Sequence, residues 1–116
     1  MMQLDMLDKN LIVKIKCDID HHVTDKIKEK IERELELLNL KNIIFDFERV
    51  DFMDSSGIGM LIGRYKFVDK IGGKIYVINL NPNLKPIIEM SGLKKIINFD
   101  CDLESVLKSQ RKSKAE

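Results

Sequence analysis

The sequence predicts an α/β fold, a mixed four- to five-stranded β-sheet packed against about four α-helices. Three observations carry that expectation. Apolar residues recur every two positions in some stretches and every three or four in others, so strands and helices alternate. The joints between these stretches hold turn and cap residues: Asp8-Lys9-Asn10, Gly72-Gly73, Asn81-Pro82 and Gly92. The length of 116 residues, with 44% apolar and 34% charged, suits one domain around one core.

Met2, Leu4 and Met6 alternate with polar neighbours, and after the Asp8-Lys9-Asn10 turn the same period continues through Leu11, Val13, Ile15, Cys17 and Ile19. The pair reads as a β-hairpin. From Thr24 to about Asn39 the period changes, with Ile27, Ile31, Leu35 and Leu38 on one side of an amphipathic helix. Ile43-Ile44-Phe45-Asp46-Phe47 is a buried strand. A second helix runs from Ser56 to Ile71 and ends at Gly72-Gly73. Ile75-Tyr76-Val77-Ile78 is a further strand. Asn81 caps a third helix with Pro82 at its first position, and Gly92 closes it. Ile96-Ile97-Asn98-Phe99 forms an edge strand, and Asp102 caps a short last helix. Residues 1–110 are expected to form one domain and residues 111–116 a frayed polar tail.

This order contains two strand–helix–strand units, which require parallel neighbours and right-handed crossovers. Loops that follow parallel strands open along one edge of the sheet. Asp20-His21-His22, the segment from Arg49 to Ser56, and Asn79-Leu80-Asn81 therefore meet there.

Composition excludes several function classes. A net charge of +1, no Trp and 6% aromatic residues give no basic surface for nucleic acid or an anionic membrane and few platforms for stacking bases. No apolar run approaches the roughly 18 residues of a membrane span. The amino-terminal residues lack the pattern of a secretory signal. Cys17 and Cys101 have no partners at metal-ligand spacing. A soluble, reduced, cytoplasmic setting is the expectation.

The most informative stretch is Phe52-Met53-Asp54-Ser55-Ser56-Gly57-Ile58-Gly59, where an apolar segment runs into two serines at the start of a helix. Helix amino ends offer unpaired N–H groups and the positive end of the dipole, a setting that suits a phosphate. Asp54 or Ser55 can serve as the cap, which leaves the Ser56 hydroxyl spare. Ser56 is therefore the candidate phosphorylation site. On a helical wheel Ile58, Leu61, Ile62 and Tyr65 form the inward stripe, and Ser56, Gly59, Met60, Gly63 and Phe67 lie opposite, with Arg64 and Lys66 at the margins. Glycine inside a helix costs about 1 kcal/mol relative to alanine, so glycines on an outward face need a reason. Either the face packs closely on another part of the fold, such as the first helix, or it is a smooth surface for a partner or a nucleotide, with Met60 and Phe67 exposed as apolar contacts.

The Asp54-to-Gly59 element, followed by Gly63-Arg64-Tyr65-Lys66, Ile71-Gly72-Gly73 and Met90-Ser91-Gly92-Leu93, resembles the STAS-domain anti-sigma-factor antagonists, and most closely those of sporulation. Asp18-Ile19-Asp20-His21-His22 is similar to a loop of the same group. The resemblance covers nearly the whole chain. It implies a STAS-type sheet-and-helix fold and phosphorylation on Ser56 by an anti-sigma factor that is itself an ATP-using serine kinase. It further implies that the unphosphorylated form binds that kinase, with its ATP or ADP, and releases the sigma factor. A phosphoprotein phosphatase resets the switch. Asp20 and Asp54 would lie beside the site, with Ser55, Gly57, Gly59, Met60 and Gly63 close to partner or nucleotide. No cofactor, metal, nucleic acid or membrane is implied.

Other readings remain in view. An antagonist in a stress-response sigma pathway would carry a similar Asp-Ser-Ser-Gly element. A serine-nucleophile hydrolase would need His21 or His22 as base, and the motif is not the Gly-x-Ser-x-Gly elbow. A metal site would have to be built from Asp20, His21 and His22. A nucleotide site of the chain's own would lack the Gly-x-x-x-x-Gly-Lys loop.

Overall fold

The alternating apolar residues of the first third form two antiparallel strands, β1 (Met2–Leu7) and β2 (Asn10–Ile15), joined through Asp8 in the left-handed conformation (φ 57°). In this computed structural model, which describes residues 1–115 and side chains through residue 112, the remaining strands are β3 (Asn42–Asp46), β4 (Ile75–Ile78) and β5 (Asn98–Asp100). They add in chain order, each parallel to the last, so the sheet reads β1-β2-β3-β4-β5. The sheet is thus five-stranded and mixed, with four α-helices: α1 (Thr24–Leu37), α2 (Ser55–Asp69), α3 (Lys85–Ser91) and α4 (Leu103–Ala115).

Side-chain alternation divides the sheet into two faces. Leu11, Val13 and Ile15 of β2, Ile43 and Phe45 of β3, and Ile75 and Val77 of β4 point into the main core with Ile27, Ile31 and Leu35 of α1, Leu61 and Val68 of α2, and Ile88 of α3. The alternate residues Ile44, Tyr76 and Ile78 form a smaller cluster with Val106 of α4. Burying both faces explains why β3 and β4 read as unbroken apolar runs. The last helix is fastened by a reciprocal amide pair: the buried Asn10 donates to Gln110 Oε1 (3.0 Å), and Gln110 Nε2 donates to Asn10 Oδ1 (2.7 Å).

Several local expectations shift. β2 ends at Ile15; the chain leaves the sheet and returns at Ile19, which makes an isolated parallel bridge to Met53. Leu38 lies past the end of α1 and is 43% exposed, so it is not part of the inward stripe. Asn81 does cap, accepting from Asn83 N–H (3.0 Å), but the turn it opens is a 3₁₀ turn, Pro82–Leu84, before α3 begins. Gly92 ends α3 in the left-handed conformation (φ 75°). Asp102 accepts from Ser105 N–H (2.9 Å) at the start of α4. The segment expected to fray continues α4 through Ala115; residues 103–115 contain no Gly or Pro and are rich in good helix formers. Glu116 lies outside the described residues.

Candidate functional site

Because β2, β3 and β4 are parallel, the segments that follow them emerge at one edge. Ile19 N–H donates to the Phe52 carbonyl (3.0 Å), and Asp54 N–H donates to the Ile19 carbonyl (3.1 Å). These two bonds clamp the loops together, and each clamped residue leads into an aspartate of the site. Asp20 Oδ1 accepts from His22 N–H (2.9 Å), and its carbonyl accepts from the N–H groups of Val23 and Thr24 (3.2 and 3.3 Å), which starts α1. The third loop is tied in by Asn81, whose amide donates to Asp51 Oδ1 (2.8 Å). Asn79 donates to Asp46 Oδ1 (3.2 Å). The structure therefore brings Asp20, Asp54 and Ser56 to one edge.

Asp54 is the cap of α2. It sits in extended conformation, and its Oδ1 accepts from Ser56 N–H (2.9 Å). The same oxygen also accepts from the Ser56 hydroxyl. The expectation of a spare hydroxyl needs correcting: Ser56 is not needed as a cap, yet its proton points at the cap carboxylate. The Ser56 hydroxyl bond is the main reason that the Asp54 carboxyl is held below its ordinary pKa, with the Ser56 and Gly57 N–H groups and nearby His21 acting in the same direction. Asp54 is thus ionised at neutral pH. Ser55 is the first helical residue and is exposed, and Ser56 is half-buried.

The helical wheel placed α2 wrongly by part of a turn. Its buried residues are Gly57, Met60, Leu61, Arg64 and Val68. Met60, expected to be exposed, is 6% exposed, and Phe67, also expected outward, is half-buried against the core. Ile58, Ile62 and Tyr65 are half-buried flanks. The reason is that α2 packs on α1 as well as on the sheet, so its buried arc is turned toward α1. Arg64 marks that contact: its Nη2 pairs with Glu32 Oε2 of α1 at 2.8 Å, with Arg64 only 5% exposed. Burial lowers the Arg64 pKa, and Glu32 opposes that shift.

The three glycines of α2 have different roles. A Cβ on Gly57 would collide with Met53 Cγ and press on Ile19 Cγ2 (3.1 Å), so Gly57 lets the helix start sit on the bridged loops. A Cβ on Gly59 or Gly63 would meet nothing within 4 Å. Close packing is therefore not why those two are glycine. Both line an open groove of about 270 Å³ together with Ser56, Met60 and Arg64 of α2 and Thr24, Asp25 and Lys28 of α1. The α1 residues were not singled out from sequence. Topology could have found them, because α1 and α2 both follow parallel strands and so both start at this edge. Phe52, 55% exposed, adds an apolar contact beside the loop clamp.

The rings of His21 and His22 lie against each other (centroids 3.9 Å apart, tilted by 38°) and are exposed, and the Ser56 hydroxyl is bonded to a carboxylate rather than an imidazole. Asp20, His21 and His22 do not form a cluster of ligands; among the described residues no group of three or more His, Cys, Asp or Glu is placed to hold a metal ion. Cys17 and Cys101 are free thiols, and burial raises the pKa of Cys17. No helix among the described residues is long and apolar enough to cross a membrane.

Comparison with known proteins agrees with this geometry. The model of the STAS domain family matches residues 1–106. The chain is 34% identical over 87 residues to an anti-sigma F factor antagonist of Paenibacillus polymyxa, an alignment covering 75% of this chain and 74% of that one. It is 31% identical over 98 residues to an anti-sigma-B factor antagonist of Bacillus subtilis (strain 168), covering 84% of this chain and 87% of the relative. Its fold superposes on the Bacillus cell fate determinant SpoIIAA, solved in the phosphorylated form, with a TM-score of 0.73 and 27% identity over 94% of this chain and 99% of that one.

Proposed function

This chain belongs to the STAS domain family, and we propose that it is an anti-sigma-factor antagonist governed by phosphorylation of Ser56. In this reading the unphosphorylated form binds an anti-sigma factor that is a serine kinase, with its ATP or ADP, in the cytoplasm. Binding frees a sigma factor of the sporulation programme. Transfer of phosphate to Ser56 ends binding, and a phosphoprotein phosphatase restores it. The chain is a regulated binding protein, and the chemistry is its partner's.

The observation that carries the reading is the Ser56 hydroxyl. It stands on the first turn of α2 at the mouth of an open groove, beside a fixed carboxylate. A phosphate there adds about −1.5 to −2 charges. The helix dipole favours an anion at this position by about 0.3–1 kcal/mol, which offsets part of the repulsion from ionised Asp54 and lets the fold persist. The docking surface has no such compensation. Like charges opposed across an interface cost several kcal/mol, and each ~1.4 kcal/mol is tenfold in affinity. A charge change with little change in shape is enough to release the partner.

The test is incubation with the anti-sigma-factor kinase and ATP, followed by mapping of the modified residue by mass spectrometry. Phosphate on Ser56 alone is expected. Ser56→Ala should stay unmodified and keep binding, and Ser56→Asp should fold and bind poorly. Phosphate retained by Ser56→Ala overturns the assignment. The anti-sigma-B relative, aligned over more of the chain, favours a second reading in which the pathway is stress response. Binding to purified kinases of the two pathways separates them.

A further inference from the structure

The end of the sheet opposite Ser56 carries a groove for which the switch has no use. It measures about 650 Å³ and lies between the carboxyl ends of α1 and α2. Its floor is apolar: Leu35 and Leu40 are 2% and 5% exposed, and Phe67 is half-buried. Ile71, 50% exposed, stands on the rim. Three of the surrounding side chains are Lys9, Lys41 and Lys70, against one carboxylate, Glu36. A smaller groove of about 220 Å³ adjoins it, sharing Lys9 and Lys41 and adding Lys74 and Asp8.

The lysines are arranged by the sheet itself. Lys9, Lys41 and Lys74 each immediately precede a parallel strand, β2, β3 and β4. The Lys9 carbonyl accepts from the N–H groups of Lys41 and Asn42 (3.1 Å each), and the Lys74 carbonyl accepts from Ile43 N–H (3.0 Å). Lys9 and Lys41 are in register on neighbouring strands about 4.8 Å apart and share the α1–α2 side of the sheet with the groove, where Lys70 stands beside them; Lys74, in register with Asn42, belongs to the α4 side with Tyr76. Among the described residues none of the four takes part in an ion pair; Lys9 Nζ donates only to the Asn39 carbonyl (3.3 Å). Gly73 lets the chain ahead of β4 pass close to this edge, since a Cβ there would collide with the Lys41 carbonyl.

We propose that this groove docks a short acidic segment of a partner protein, with one bulky apolar side chain seated on Leu35, Leu40 and Phe67 and its carboxylates against Lys9, Lys41 and Lys70. Charge complementarity selects the acid, and the recessed floor selects an inserted side chain over a flat membrane surface. The site lies at the opposite ends of the strands from Ser56, so both ends can be occupied together. The inference does not depend on the role of Ser56.

The test uses the isotope-labelled full chain and a fluorescein-labelled peptide of glutamates and aspartates around one phenylalanine. Amide shifts are expected at residues 9, 40–41 and 70–74, with residues 54–63 unmoved, and the Ser56→Ala chain should bind equally. Lys41→Gln and Lys70→Gln, both on the surface, should each weaken binding about two- to five-fold. Added salt, or alanine in place of the peptide's phenylalanine, should weaken it further. Equal binding of a glutamine peptide, shifts confined to residues 54–63, or no binding overturns the proposal. So does a response of these residues only to phosphatidylserine vesicles or to protein concentration alone.

Discussion

Gly57 and the pair Gly59 and Gly63 belong to the same helix, yet they are glycine for opposite reasons. At Gly57 the space is already taken by Met53 and Ile19; at Gly59 and Gly63 it is empty. The first lets α2 begin directly on the clamped loops and so sets where Ser56 stands. The other two keep the groove beside Ser56 open, at a cost to the helix that packing does not explain. Residue type alone therefore says little about a glycine. What occupies the missing side chain's place decides whether it serves folding or docking.

The largest effect expected from testing this contrast is at Gly57. Gly57→Ala should overpack the Met53–Ile19 contact, and after the gain in helix propensity it should still lose about 2 kcal/mol of stability in denaturant unfolding. A neutral outcome would mean that the loops yield and that the helix start is not fixed by this contact. Next is the α1–α2 contact that shapes the far wall of the groove. Glu32→Gln leaves the buried Arg64 guanidinium with a neutral acceptor and should cost about 1 kcal/mol, with Arg64→Met at the same pair a smaller or no further loss in the double variant. Full additivity of the two substitutions would show that the pair is not coupled.

Gly59→Ala and Gly63→Ala carry the opposite sign. Each should stabilise the chain by about 0.5–1 kcal/mol in thermal unfolding while weakening binding to the anti-sigma factor. A loss of stability would erase the distinction from Gly57. The smallest effect is at the cap. The folded-state pKa of Asp54 lies below its unfolded value of about 3.9, so its contribution is complete above that pH and is lost as pH falls through the depressed value. Asp54→Asn should therefore lower the melting temperature slightly at neutral pH, with the difference from the parent chain shrinking as pH falls below about 4, so that the acid limb of the profile is flatter.

Much of this was legible from local pattern. Period-two runs marked β1 and β2, unbroken apolar runs marked β3 and β4, and the caps Asn81, Gly92 and Asp102 all act at helix ends. The gathering of Asp20, Asp54 and Ser56 followed from parallel topology alone. Less was legible on α2. Its apolar residues spread around most of the helix, so the wheel offers no sharp stripe: it puts Met60 outward and Arg64 at the margin, although both are buried. The hydrogen bond that the Ser56 hydroxyl donates to Asp54 is likewise not legible in the sequence, because no local pattern fixes which way a hydroxyl turns.

The amino-acid order by itself determined the elements, their sequence, and the serine at the head of the second helix, because periodicity, caps and turn residues act over a few neighbouring positions. The tertiary structure alone decided which arc of α2 is buried, which glycine is filled by a neighbour, that α4 covers the second face of the sheet, and that Lys9, Lys41 and Lys70 surround one groove. Those outcomes depend on contacts between segments distant in the chain, and no local pattern encodes what a side chain will meet across the fold.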